Sequence, residues 1–165
     1  MVCDKRLNLS TAAEAALEPC MAGTCRIKAF VRKHDLTHKL HAFIRLLKTY
    51  VISAGMYASQ IWATPYLRQG TGMDYPLQKW IMNVLLNQLG VKSTTPSSKI
   101  LRECGIEPFQ FNWFSATMRF YNSLTQCNSQ LLKRVLQADI RLSPRNDLCW
   151  TSHLLSALDR LTNSD

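Results

Sequence analysis

The sequence predicts an all-α fold, an irregular bundle of six to eight helices. Three observations carry that expectation. Apolar residues recur at steps of three and four over most of the chain. No segment alternates with period two between turn signals, so no hairpin is expected. Glycine and proline fall at helix ends more often than inside helical runs.

The elements follow in order. Thr11-Ala12-Ala13-Glu14 has capping-box spacing and opens a first helix. Pro19 is expected to interrupt it, leaving a short basic helix from Arg26 to Lys33. The strongest pattern runs from about Thr37 to Trp62, with Leu36, Leu40, Phe43, Leu47, Val51, Ala54, Ala58 and Ile61 on one face. Asp35 or Thr37 is the expected cap, and Pro65 the stop. Arg68 to Asp74, with Gly70 and Gly72, reads as a loop. Asp74 then caps a helix with Pro76 in its first turn and Gly90 at its end. Its buried stripe is Leu77, Trp80, Ile81, Val84, Leu85 and Leu89. Thr95-Pro96 starts a short helix that ends at Gly105. Pro108 opens another through Leu124, with Trp113, Phe114, Thr117, Phe120, Tyr121 and Leu124 on one side. Two more are expected near 129–140 and 147–161, the last with Trp150, Leu154, Leu155, Leu158 and Leu161 in register. Three segments are expected: a helical lead-in over 1–25, a domain over 26–125 and a helical extension over 126–165.

The chain has 165 residues and a formal charge of +9. Residues 1–25 hold two basic against three acidic residues, a net of −1. Residues 26–102 hold twelve against two, a net of +10, and residues 103–165 six against six. The excess lies wholly in the middle segment, which points to a polyanionic partner and first to nucleic acid.

Residues 49–67 are uncharged over 19 positions, nearly a bilayer span. Their Ser, Gly, Gln, Thr and Pro content favours a buried helix and its exit. No apolar run follows Lys5-Arg6, so no signal peptide is read, and cytoplasm or nucleus is the expected location. Cys3, Cys20, Cys25, Cys104, Cys127 and Cys149 then read as reduced, mostly buried thiols. Cys20, Cys25, His34 and His38 have the spacing C-x4-C-x8-H-x3-H. The middle gap is short of the roughly twelve residues of a zinc finger, so no metal is assigned. His34, His38 and His41 read instead as one polar helical stripe. Phosphate-binding glycine loops, nucleophile elbows and H-E-x-x-H are lacking, and no two aspartates adjoin. No cofactor and no catalytic residue is proposed.

Two blocks carry a family resemblance. The first is residues 50–62, YVISAGMYASQIW, where Tyr57 and Trp62 match a Tyr-Gly-x-Glu-x-Trp-like sequence and Ala58 and Gln60 depart from it. The second is residues 89–108, LGVKSTTPSSKILRECGIEP, with Leu89-Gly90, Thr95-Pro96, Leu101-x-Glu103-x-Gly105 and Pro108. In this order the blocks resemble the region just after the palm of non-LTR (LINE-type) retrotransposon reverse transcriptases. The resemblance covers about residues 26–125. It implies a thumb-like helical scaffold that grips a template–primer duplex by its backbone, without sequence specificity and without catalysis. The palm's paired aspartates would lie upstream of residue 1. The implied partners are an RNA–DNA hybrid or other duplex and the palm domain itself; no membrane is implied. By residue type alone, Tyr57 and Trp62 are expected to be core residues and Thr95-Pro96 a helix start.

The contact face expected from the charge pattern is Arg26, Lys28, Arg32, Lys33, Lys39, Arg45 and Lys48, since phosphate contacts position a duplex without reading bases. Two alternatives belong to other classes. One is a helical protein-interaction module with exposed aromatics. The other is a helix-turn-helix DNA reader using Gln78, Asn83, Asn87 and Gln88.

Overall fold

The computed structural model describes residues 10–68, 75–145 and 149–162. All regular structure among them is helical, as the periodicity predicts. In order these are α1 (Ser10–Lys33), α2 (Leu40–Leu46), a π-helical stretch (Leu47–Ile52), α3 (Ser53–Gly55), α4 (Ser59–Trp62) and α5 (Thr64–Arg68). They are followed by α6 (Pro76–Leu89), α7 (Ser97–Glu103), α8 (Phe109–Gln126), α9 (Gln130–Leu142) and α10 (Trp150–Thr162). Two compact units result: residues 1–57 with 73–109, and residues 58–72 with 110–165. This division differs from the three consecutive segments expected. The boundary expected at residue 25 falls inside α1, and the one at 125 falls at the end of α8.

In the first unit, α1 runs unbroken through Pro19, against the expected interruption. Proline deprives the carbonyl four residues earlier of its donor and costs about 3 kcal/mol in a helix interior. Packing offsets that cost. Cys20, Thr24, Ile27 and Val31 are buried on one face, and α1 packs on the π-helical stretch, α3 and α6. The Cys20 thiol donates to the Val51 carbonyl at 3.3 Å, and the Thr24 hydroxyl to the Cys20 carbonyl at 3.0 Å. A Cβ at Gly55 would lie 3.0 Å from both Cys20 Sγ and Leu77 Cδ2, so glycine lets α3 approach its neighbours. Thr11 lies inside α1, not at its cap.

The helix expected over 37–62 is broken. Its start is Leu40, with Lys39 at the cap position and no side-chain cap; Asp35 turns left-handed at φ 50° after α1. His34 therefore sits in the turn and the three-histidine stripe does not form. The run continues through the π-helical stretch to Gly55, burying Phe43, Leu47 and Val51. It then ends, and Ala58 takes φ 53° before α4 begins. An L-residue in this region costs about 1–2 kcal/mol, which no local pattern signals. The break divides the YVISAGMYASQIW block between the two units.

The other first-unit boundaries follow expectation more closely. α6 carries Pro76 in its first turn and ends at Gly90 with φ 64°. Tyr75 holds its cap position, and Asp74 lies outside the described residues, as does most of the expected 68–74 loop. Leu77, Ile81, Val84 and Leu85 are buried as predicted; Trp80 and Leu89 are half-buried. Gln78 is fully buried, its Oε1 accepting from Phe109 N at 3.0 Å. α7 starts at Ser97 with Pro96, not Thr95, at the cap position. It ends at Cys104 and Gly105, whose φ is 58°.

In the second unit, Trp62, Tyr66 and Trp113 pack edge-on or tilted, with ring centroids 5.5 to 6.5 Å apart. Trp150 packs on Tyr121, stacked at 6.2 Å, and on Phe120, edge-on at 6.0 Å, and donates its indole N–H to the Gln60 carbonyl at 2.9 Å. Asp139 of α9 caps α10: its Oδ2 accepts from Thr151 N at 2.8 Å and from the Thr151 hydroxyl. Arg160 Nη2 donates to the Leu67 carbonyl, joining α10 to α5. Leu154 is buried, Leu158 half-buried and Leu155 exposed; the side chain of Leu161 lies outside the described ones. No described helix is long and apolar enough to cross a membrane.

Candidate nucleic-acid interface

The seven cations of residues 26–48 arise from the second half of α1, the turn after it, and the run that starts with α2. Six are exposed and Lys28 is half-buried. Arg26, Lys28, Arg32, Lys33, Lys39 and Arg45 form no ion pair with a carboxylate among the described residues. No described carboxylate neutralises their charge.

Helical spacing separates them into groups. Lys28 and Arg32, four residues apart, share a face. They line a polar pocket of about 220 Å³ with Thr37, Asn87 and Gln88. Arg26 lies on another face. It rims an apolar groove of about 640 Å³ walled by Pro19, Ile27, Phe30, Leu46 and Tyr50. Phe30 and His34 lie with ring centroids 4.4 Å apart beside it. Lys33 closes α1, Lys39 holds the cap position of α2, and Arg45 lies in the last turn of α2. Lys48 reaches the end of α7, where a Cβ at Gly105 would come within 3.2 Å of its Nζ. Cations are favoured at helix C-termini. Burial pushes the nearby Cys104 thiol up, and the Lys48 ammonium opposes that rise. The expected single face is thus several patches, and the Lys28–Arg32 pair is gathered into a pocket.

The residues of the resemblance are dispersed too. Trp62 is buried as expected, but Tyr57 is 74% exposed, so it is not a core residue. α3 ends at Gly55, so Tyr57 follows the helix rather than lying on its buried face. Gly90 and Gly105 are left-handed helix ends, Pro96 caps α7, Thr95 is half-buried, Glu103 is exposed and Pro108 precedes α8. Among the thiols, Cys20, Cys104 and Cys149 are buried, Cys25 is exposed, and Cys3 lies outside the described residues. No group of three metal-ligating side chains forms among the described residues.

Sequence reasoning missed Thr37, Asn87 and Gln88 as neighbours of Lys28 and Arg32. Asn87 and Gln88 stood out as polar residues on an amphipathic helix, but nothing in the sequence pairs the end of α6 with α1. No known family model, curated protein or solved structure matches this chain.

Proposed function

We propose that the chain is a non-catalytic, thumb-like fragment that contacts the phosphate backbone of duplex or hybrid nucleic acid without sequence specificity. One observation carries the reading: six cations of residues 26–45 lack carboxylate partners among the described residues, and five of them are exposed. The reading also draws on the two sequence blocks that resemble the post-palm region of LINE-type reverse transcriptases.

Lys and Arg contacts to phosphates suit a grip that follows a duplex in any sequence register. The distribution into patches suits a strand that passes across the helices more than one docked along a single helix. The helix-turn-helix alternative is weakened by Gln78, one of its four reading residues, which is fully buried and spent on Phe109 N.

Fluorescence anisotropy with labelled duplex and RNA–DNA hybrid tests the proposal. Affinity should fall with salt at a logarithmic slope of about −0.9 per phosphate neutralised, alike for unrelated sequences. No binding of either at low salt overturns it.

A second reading, a protein-interaction module, has its own support in α9. Leu131, Val135 and Leu142 are 71%, 58% and 53% exposed and lie on one helical stripe. Salt-insensitive self-association without nucleic-acid binding favours that reading.

A further inference from the structure

The polar pocket of the first unit has features that a solvated basic face lacks. Lys28 and Arg32 come from α1, Thr37 from the following turn, and Asn87 and Gln88 from the last turn of α6. None of these five side chains is hydrogen-bonded or ion-paired to another described residue, and no carboxylate lines the pocket. Phe43, itself buried, contributes to the pocket wall. Lys28 and Gln88 are half-buried, so part of each side chain is covered by the pocket wall.

Size and field narrow the ligand. About 220 Å³ lies below the range of roughly 300–1,000 Å³ usual for drug-sized ligands. A single small group fits better. Both helices reach the pocket with their final turns, whose carbonyl ends carry partial negative charge. That field opposes an anion, so the two cations must decide the preference, while the hydroxyl and two amides add neutral donors.

We infer that this pocket seats one phosphate group of a phosphoester, with Lys28 and Arg32 supplying charge and Thr37, Asn87 and Gln88 supplying hydrogen bonds. For the source of that phosphate the inference rests on the nucleic-acid reading above; a strand terminus and an internal phosphodiester present the same oxyanion chemistry.

The test is NMR titration of the full chain with inorganic phosphate, against chloride at equal ionic strength, observing the side-chain amides of Asn87 and Gln88. Phosphate should give saturable shifts that chloride does not. Arg32→Gln should abolish them, and the double variant Asn87→Ala/Gln88→Ala should weaken phosphate about tenfold, followed through backbone resonances near Lys28. In parallel, Lys28→Gln should reduce the salt slope for oligonucleotides by about one, whereas the amide double variant should lower affinity and keep the slope. A preference for strands bearing a 5′-phosphate identifies a terminal phosphate as the source; equal affinity identifies an internal one. Saturable phosphate shifts without oligonucleotide binding keep the seat and remove the nucleic-acid reading. Oligonucleotide binding unchanged in the double variant, with no saturable phosphate shift, removes the seat and keeps that reading.

Discussion

α1 and α9 are both amphipathic, and both carry cations. α1 places Cys20, Thr24, Ile27 and Val31 in a core and leaves its charges outside. α9 buries only Leu136 and leaves Leu131, Val135, Ile140 and Leu142 in solvent. Helical periodicity identifies a face but not its cover. α1 meets four neighbouring elements within its unit, whereas the main neighbour of α9 is α10, held through Asp139.

The sharpest way to break this contrast is a pair of truncations. Phe43→Ala, in the core beneath α1, should destabilise by about 3–5 kcal/mol in urea unfolding. Leu131→Ala on the outer face of α9 should stay within about 0.5 kcal/mol. A large loss at Leu131 would mean that α9 has a cover after all.

Asp139→Ala addresses the bond that α9 does make. It removes the acceptor for the Thr151 backbone N–H and hydroxyl, and should cost about 1–3 kcal/mol by thermal denaturation. An unchanged midpoint would show that α9 is held by something other than this cap.

Backbone strain separates two helix ends. Gly90 at φ 64° and Ala58 at φ 53° adopt similar conformations. Gly90→Ala should destabilise by about 1 kcal/mol, while Ala58→Gly should stabilise by a similar or smaller amount. Equal signs in chemical denaturation would refute strain at Ala58.

The last effect appears only at alkaline pH and concerns two thiols on α1. Burial raises Cys20 from an ordinary 9.0 to about 11, whereas Cys25 is exposed. The folded state therefore retains the Cys20 proton where the unfolded state releases it. That contribution to stability is complete below pH 9 and is lost as pH rises through about 11. The unfolding midpoint should drop across this window more in the native chain than in Cys20→Ala. Thiol reagents should modify Cys25 well before Cys20.

Much of the helical content could be read without coordinates. α6 with Pro76 and Gly90, α7 ending at Gly105 and α8 after Pro108 are written in local chemistry: a fixed proline φ, a left-handed glycine and a repeating apolar stripe. Ser129 also caps α9 by accepting from Leu132 N. The failures share a cause. α1 persists through Pro19, and the next helix breaks near Tyr57 and Ala58, because packing outweighs local propensity at both places. The pocket was half legible: Lys28 and Arg32 stood out by charge, but Asn87 and Gln88 lie more than fifty residues away in sequence.

By itself, then, the sequence determined an all-helical chain, most of its later helix boundaries and a concentration of positive charge after residue 25. These depend on interactions within a few residues or on composition. Tertiary structure alone decided which helices share a unit, that Tyr57 faces solvent, that α9 keeps an uncovered stripe, and that Asn87 and Gln88 meet Lys28 and Arg32. Those outcomes depend on contacts between distant segments, where many arrangements satisfy the same periodicity and only the packed chain selects one.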